Sequence, residues 1–255
     1  MKAILASTFL LASVSASHAA SVLGSVSAAP NSTTATAQTL PSGTDTDWGY
    51  YQQTGTPSPT VTSFDATNTS NTGGRSFTVT AVNGGTLRGP GTPDTSSPFS
   101  YFDFANGTSP GTGNNVQPSG IFNSVLGSTG VTNSAGVQIS LSGFTGQSVI
   151  QLWTFAFQST GLLEVFINGS DTVEFSQSIS GAVPSGGKDA SLVTLDFTPD
   201  SASDTVEIRY TLDSTLDNSN GHVGFQAIAI SPIPEPASLA LLALTGGLFG
   251  LRRRR

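Results

Sequence analysis

The chain has no cysteine, and this absence excludes several kinds of chemistry at once. Thiol nucleophiles and cysteine-ligated zinc sites are ruled out, and no disulfide can hold the fold together. Small exported domains often need disulfides because they bury too little apolar surface. A chain of 255 residues is large enough to fold without them.

Positive charge is scarce between the two ends of the chain. Residues 20–231 contain four cations, Arg75, Arg88, Lys188 and Arg209, against fifteen acidic residues, which gives this stretch a net charge of −11. Binding to nucleic acid requires clustered lysine and arginine, so nucleic acid is excluded as a partner. The balance is typical of an acidic extracellular protein that attracts cations.

The last residues of the chain form a three-part tail. Pro234, Glu235 and Pro236 are followed by the uncharged run Ala237–Leu251 and then by four arginines, Arg252, Arg253, Arg254 and Arg255. As a helix, this apolar run would span about 22 Å, less than the roughly 30 Å core of a bilayer. The arginines favour the cytoplasmic side. The pattern predicts a short hydrophobic helix that inserts into the membrane transiently.

This tail resembles the bacterial PEP-CTERM sorting signal over residues 232–255. The resemblance rests on Pro234-Glu235-Pro236 together with the apolar run and the terminal arginine cluster. It implies that an exosortase-type membrane transpeptidase recognises the tail and cuts near Pro-Glu-Pro, in bacteria that make extracellular polysaccharide. A eukaryotic lipid-anchor signal fits less well, because such signals end in apolar residues.

The first 19 residues have the pattern of a secretory signal peptide. Lys2 is followed by an uncharged segment, which is expected to form an apolar helix, and then by the small residues around Ala19 and Ala20. Cleavage after Ala19 is expected, and cleavage after Ala20 fits nearly as well. Both ends of the chain therefore predict export, to the cell-envelope surface or the extracellular matrix.

The residues between these signals predict an all-β fold. Residues 20–44 are small and polar and are expected to form a flexible lead-in, and residues 45–231 are expected to form one antiparallel β-sandwich of the jelly-roll kind. Strands are predicted at Trp48–Gln52, Arg75–Val82, Phe99–Phe104, Ile121–Leu126, Gly136–Ser142, Ser148–Phe157, Leu162–Ile167, Thr172–Ser178, Leu192–Phe197, Thr205–Leu212 and His222–Ile230. The pattern is similar to that of lectin-like and carbohydrate-binding jelly rolls.

The segment Asp45–Tyr51 is the strongest candidate for a glycan site. Trp48 and Tyr50 fall on one side of an extended strand, beside the carboxylates of Asp45 and Asp47. Aromatic faces with nearby carboxylates suit the stacking of sugar rings. The alternative is that this is the first strand of the sandwich and buries its aromatic rings, and that alternative is favoured.

A second candidate is a calcium site in the loop 213–221. Asp213, Asp217, Asn218 and Asn220 supply oxygen ligands, and Gly221 allows a sharp turn. The loop does not match the twelve-residue calcium motif, and Asp and Asn also favour turns for their own sake. The sequence thus predicts no cofactor other than calcium.

Two groups of residues have side chains that can act in catalysis, but both give only weak evidence for an enzyme. His222 lacks a recognisable nucleophile and is expected to open the last strand and make local hydrogen bonds. Glu164 and Glu174 flank the hairpin at Asn168-Gly169 and could face each other as a glycosidase pair, but exposed strand carboxylates are common. We therefore expect a structural or adhesive protein rather than an enzyme, with a carbohydrate-binding module as the alternative and a glycan-active hydrolase as a third candidate.

Overall fold

The protein is described by a computed structural model, and the description covers residues 19–28, 37–52, 66–89, 100–108, 111–116, 120–123, 134–180, 188–215 and 221–233. Within these ranges every regular element is a β-strand. No helix in this part of the chain has the length and apolarity to cross a bilayer. The expected signal helix and tail helix lie outside the described residues.

Sixteen strands are present in the described residues. They are β1 Ser21–Ala28, β2 Gln38–Thr39, β3 Asp47–Gln52, β4 Ala66–Asn71, β5 Ser76–Val82, β6 Leu87–Arg88, β7 Phe102–Ala105, β8 Thr112–Val116, β9 Ile121–Asn123, β10 Gly136–Ser142, β11 Ser148–Phe157, β12 Ser159–Ile167, β13 Val173–Ser180, β14 Lys188–Thr198, β15 Val206–Thr215 and β16 His222–Pro232.

The strands form three sheets. The largest has the order β1-β14-β11-β16-β3-β4, with β9 pairing both β16 and β6. A five-stranded sheet has the order β13-β12-β15-β10-β5, and a small sheet has the order β2-β7-β8. Every pairing is antiparallel except β2 with β7. The all-β, antiparallel prediction is confirmed, and the jelly-roll connectivity stays a prediction.

The main core lies between the two large sheets. Alternation along β10 points Val137, Ile139 and Leu141 inward, and all three are buried in one cluster with residues of β11, β14 and β16. Along β15, Ile208 is buried while its neighbour Arg209 is only half-buried. Each such buried aliphatic side chain contributes about 1.5–3 kcal/mol relative to exposure. The predicted two-residue period therefore forms a sandwich-like core.

Strand β11 is buried on both faces, as its sequence predicts. Ile150 and Leu152 enter the main core, whereas Trp153 on the opposite face joins a second cluster under the small sheet. In that cluster the Phe102 ring of β7 meets the Trp153 ring edge-on at 5.1 Å between centroids. The small sheet thus covers a face of the largest sheet that would otherwise expose aromatic rings.

A bulge in β16 places a side chain that hydrogen-bonds the segment before the small sheet. The pairing of β11 with β16 shifts between Trp153 and Thr154, which leaves Gln226 as an extra residue. The Gln226 side chain is buried, and its Oε1 accepts a hydrogen bond from the backbone N–H of Ser100 at 3.2 Å. Since Ser100 lies just before β7, this bond helps to fix the entry to the small sheet.

The predicted hairpin at Asn168-Gly169 is confirmed. Both residues have positive φ, 55° and 65°, as a two-residue turn of the mirror-image type requires. The Ser170 N–H donates to the Ile167 carbonyl at 3.0 Å and closes the turn between β12 and β13. The sequence pair Asn-Gly favours this geometry because both residues tolerate the left-handed conformation.

The expected flexible lead-in over residues 20–44 is wrong for much of its length. Residues 21–28 form the edge strand β1, which pairs with β14 from Ser21 opposite Thr198 to Ala28 opposite Ser191. Further on, Leu40 is fully buried in the second cluster. The sequence does not indicate strand β1, because an edge strand buries only a few of its residues, here chiefly Val22.

Candidate functional site

The last strand leads directly into the Pro-Glu-Pro motif. Strand β16 lies inside the largest sheet, between β11 and β3, and its final residue Pro232 pairs with Ser148. One residue later, the backbone N–H of Ile233 donates to the Gln147 carbonyl at 2.8 Å. Pro234 therefore follows a residue that is still hydrogen-bonded to the fold, with no spacer between them.

The chain enters and leaves the described domain at one end, which we call the exit end. Ser21 opens β1 opposite Thr198, and Ser148 at the start of β11 is paired with both Phe197 and Pro232. Three strand spacings of about 4.8 Å separate β1 from β16, so the two points lie about 14 Å apart. Both predicted signals consequently join the domain on the same side.

The exit end is held by a buried ion pair. Arg75 Nη1 lies 3.0 Å from Asp47 Oδ2, and the two side chains are 2 % and 0 % exposed. Asp47 also accepts backbone N–H bonds from Gly73 at 2.9 Å and from Arg75 at 3.3 Å. The second Arg75 nitrogen, Nη2, reaches Ser148 Oγ at 3.4 Å, and Nη1 also donates to the Asp45 carbonyl. This set ties β3, the turn before β5 and the start of β11 together.

Two turns at the exit end are joined through Asp204. Its carboxylate accepts bonds from the backbone N–H groups of Asp200 and Ser201 and from Asn168 Nδ2 at 2.8 Å. Asn168 returns a bond by accepting the Thr205 N–H at 2.8 Å. The hydrogen bonds from Ser201 and from Asn168 lower the pKa of Asp204, because they favour the charged carboxylate. The turn after β12 and the loop before β15 are thus one connected unit.

The predicted glycan residues do not form an open stacking surface. Trp48 and Tyr50 are 0 % and 1 % exposed, and their rings pack against Phe104 at 5.0 and 5.3 Å between centroids. Asp47 forms an ion pair with Arg75, and of the four predicted glycan residues only Asp45 has an exposed side chain. The physical reason is the small sheet, which covers this face, so the alternative of buried strand aromatics describes these residues.

Three of the buried aromatic side chains in the second cluster have a polar atom with no hydrogen-bond partner among the described residues. The indole Nε1 atoms of Trp48 and Trp153 and the hydroxyl of Tyr50 have no hydrogen-bond partner there. Burial raises the pKa of the Tyr50 phenol, because the anion would lose its hydration. An unpaired buried donor costs about 1–3 kcal/mol, so the second cluster is less stable than its apolar area suggests.

Glu164 and Glu174 are not brought face to face. In the pairing of β12 with β13, Glu164 stands opposite Ser176, and the irregularity between Val165 and Phe166 displaces the strand beside Glu174. On its other side Glu164 stands opposite Arg209 of β15. The candidate facing pair, which the sequence ranks below ordinary strand carboxylates, is not formed, because register is set by the turn and the bulge rather than by distance from the turn alone.

His222 opens β16, as predicted, at the end of the domain opposite the exit end. Its ring stacks on Phe122 at 4.3 Å and lies 5.0 Å from Phe157, and the Arg88 guanidinium is 6.0 Å from the Phe122 ring centroid. The His222 carbonyl accepts a bond from Ser159 Oγ at 2.9 Å. Sequence analysis missed this group, since β6, β9, β11 and β16 become neighbours only in the folded sheet.

The calcium candidate lies almost entirely outside the described residues. Asp213 is exposed near the end of β15, whereas Asp217, Asn218 and Asn220 belong to the part that is not described. Among the residues that are described, no group of three or more histidine or acidic side chains is placed to hold a metal ion. Calcium binding by this loop stays a prediction.

The tail matches a known family of sorting signals. Residues 232–255 match the PEP-CTERM protein-sorting motif. No curated protein and no solved structure shows a significant match to the chain. The described part of the chain is therefore all-β, and the chain carries a PEP-CTERM sorting signal. That signal implies export, processing by an exosortase, which is a membrane enzyme, and a final location at the cell envelope or extracellular surface.

Proposed function

We propose that the protein is a structural or adhesive component of the cell surface or of an exopolysaccharide matrix. The observation that carries the proposal is the PEP-CTERM signal at residues 232–255, which begins where the last strand of the sheet ends. The strongly acidic composition of residues 20–231 supports it, because excess negative charge keeps a domain soluble and attracts cations in a hydrated matrix.

Replacing the sorting tripeptide tests the delivery to the surface on which this proposal depends. Pro234→Ala, Glu235→Ala and Pro236→Ala should be combined in the native host, and the protein should be followed through inner-membrane, envelope and medium fractions. We expect the variant to keep its tail and to accumulate in the inner membrane. Ser178→Ala, at an exposed strand position outside the sorting signal, is the control. Equal delivery of the variant and the control to the surface would contradict the proposal.

A carbohydrate-binding module of the lectin-like, jelly-roll kind is the second candidate. The observation that favours this candidate is the group of Phe157, His222 and Arg88 at the end opposite the tail. This group is a better place for a sugar than Trp48, which is buried. All three side chains are half-buried, so each presents part of its surface to solvent. Aromatic faces with a nearby cation and hydrogen-bonding groups suit sugar rings.

Glycan binding can be tested on the mature protein purified from its host. Retention on the extracellular polysaccharide of that host should fall when Phe157→Ala is introduced. Trp48→Ala is the informative comparison, since Trp48 is fully buried and should act only through stability. Ser178→Ala, at an exposed strand position, is the neutral control. Retention that is absent in the wild type, or unchanged in Phe157→Ala, would exclude this candidate site.

A further inference from the structure

The short distance between the fold and the sorting motif limits how an enzyme can approach it. Ile233 is hydrogen-bonded to Gln147, and the motif occupies the next three positions of the chain. A residue spans at most about 3.6 Å, so the chain length alone keeps the three Cα atoms of the motif within about 11 Å of the Ile233 Cα. An enzyme that holds this motif in its active site must bring its own surface against the exit end of the domain.

The residues before the motif are not free to enter an extended binding cleft. Ser231 and Pro232 pair with Val149 and Ser148 of β11, whereas the pairing of β16 with β3 ends at Ile230 opposite Asp47. Pulling them into an enzyme would break these pairings with β11 and the bond of Ile233 to Gln147. The folded protein therefore offers the loops of the exit end, rather than upstream chain, as the surface next to the motif.

The exit end is a rigid surface, because hydrogen bonds hold its loops in place. Five connections gather there, at residues 43–46, 72–75, 143–147, 168–172 and 199–205. Internal hydrogen bonds fix them, including Thr72 Oγ1 to the Thr46 carbonyl at 2.6 Å and Ser148 Oγ to the Gly146 carbonyl at 3.1 Å. Rigid surfaces lose little entropy on docking, which favours a specific contact.

The charge of this surface argues against lipid as its partner. Asp45, Asp171 and Asp200 are exposed there, and the one cation in the five connections, Arg75, is buried against Asp47. Anionic lipid headgroups attract basic segments and repel acidic ones. The tail is thus the part that holds the precursor at the membrane, and the acidic end would leave a lipid surface once the tail is removed.

From this geometry we infer that the exit end of the domain, centred on the loop 143–147 beside Ile233, is a docking surface for the membrane enzyme that processes the tail. The inference rests on the proposed sorting function. The contact lies on the folded domain, so recognition extends beyond the tripeptide. The enzyme reads the tail together with the folded end from which it emerges.

A bulky substitution beside Ile233 tests the inference. A Cβ atom added at Gly146 would meet nothing within 4 Å, so Gly146→Trp should fold while obstructing the surface. Pulse–chase labelling in the native host, read by intact mass, should show tail removal slowed by about tenfold, which corresponds to about 1.4 kcal/mol of lost contact. Ser178→Trp, exposed on β13 away from the exit end, should stay within about twofold of the wild type.

A spacer supplies the second arm of the experiment. A Gly-Ser-Gly-Ser-Gly-Ser insertion between Ile233 and Pro234 adds about 14 Å of reach and should restore processing of Gly146→Trp. Urea unfolding of each purified variant verifies its fold, and Thr145→Trp replaces Gly146→Trp if the latter does not fold. Wild-type rates in Gly146→Trp would overturn the docking surface alone. A wild-type protein that is never processed would overturn the sorting function itself.

Discussion

The Asp47→Asn substitution removes the negative charge that faces the buried Arg75 guanidinium. In the wild type the two charged atoms lie 3.0 Å apart, and both side chains are almost fully shielded from water. The asparagine side chain has nearly the same shape, so packing is preserved and the change isolates the charge. We expect the variant to fold with reduced stability, because Arg75 would remain charged without its counterion.

The size of the loss follows from the contacts. Breaking a buried ion pair by removing one partner costs about 3–5 kcal/mol. Asp47 further accepts the backbone N–H groups of Gly73 and Arg75, and one amide oxygen can replace only part of a carboxylate's accepting capacity. We expect a loss near 4 kcal/mol, which is about 8–16 °C in Tm for a domain of this size.

Urea unfolding followed by tryptophan fluorescence measures the loss, since Trp48 and Trp153 are both buried. Asp45→Asn is the matched control, because the Asp45 carboxylate is exposed and only its carbonyl contacts Arg75. Adding Arg75→Leu to Asp47→Asn should recover part of the stability, since no charge then stays buried without its counterion. A loss for Asp47→Asn that equals the loss for Asp45→Asn would refute the reasoning.

Three further predictions concern other parts of the domain. Tyr50→Phe should raise the free energy of unfolding by about 1 kcal/mol in urea titrations, because it removes a buried hydroxyl with no partner among the described residues; a loss of stability would show that the hydroxyl is bonded. Gly224→Ala should destabilise by about 3 kcal/mol or more, since its Cβ would come within 1.8 Å of the Ile121 carbonyl oxygen, whereas Gly146→Ala has open space and should be neutral in the same assay. The pKa of Asp204 is lowered in the folded state, so its carboxylate contributes stability above the ordinary aspartate pKa of about 3.9, and this contribution is lost as pH falls through the folded value. The stability difference between wild type and Asp204→Asn should therefore be largest near neutral pH and shrink in acid, and a difference independent of pH would contradict this.

The parts of the fold that sequence analysis predicts are those where local pattern decides the outcome. Strands β10 and β11 begin and end at the predicted residues, because alternating or continuous apolar side chains bury one or both faces. The Asn168-Gly169 turn is predicted for a similar local reason. Strand β1 escapes such analysis, since an edge strand with few buried residues has no distinctive pattern.

The site features depend on contacts between distant parts of the chain. Asp47 and Arg75 are 28 residues apart, and nothing in either local sequence indicates that they pair. Trp48 and Tyr50 have the spacing of a surface aromatic strip, and only the small sheet packed over them makes them core. The tail is the opposite case, because its motif, apolar run and arginine cluster are consecutive in the sequence and can be identified without any tertiary contact.

The central claim, that the protein is exported and sorted through its PEP-CTERM tail, is tested most directly by the intact mass of the mature protein in each cell fraction of its native host. The account predicts a species in the envelope or medium that lacks the N-terminal signal and the residues that follow the Pro234-Glu235-Pro236 region. A species in the inner membrane that retains Arg252–Arg255 as the stable final product would contradict it.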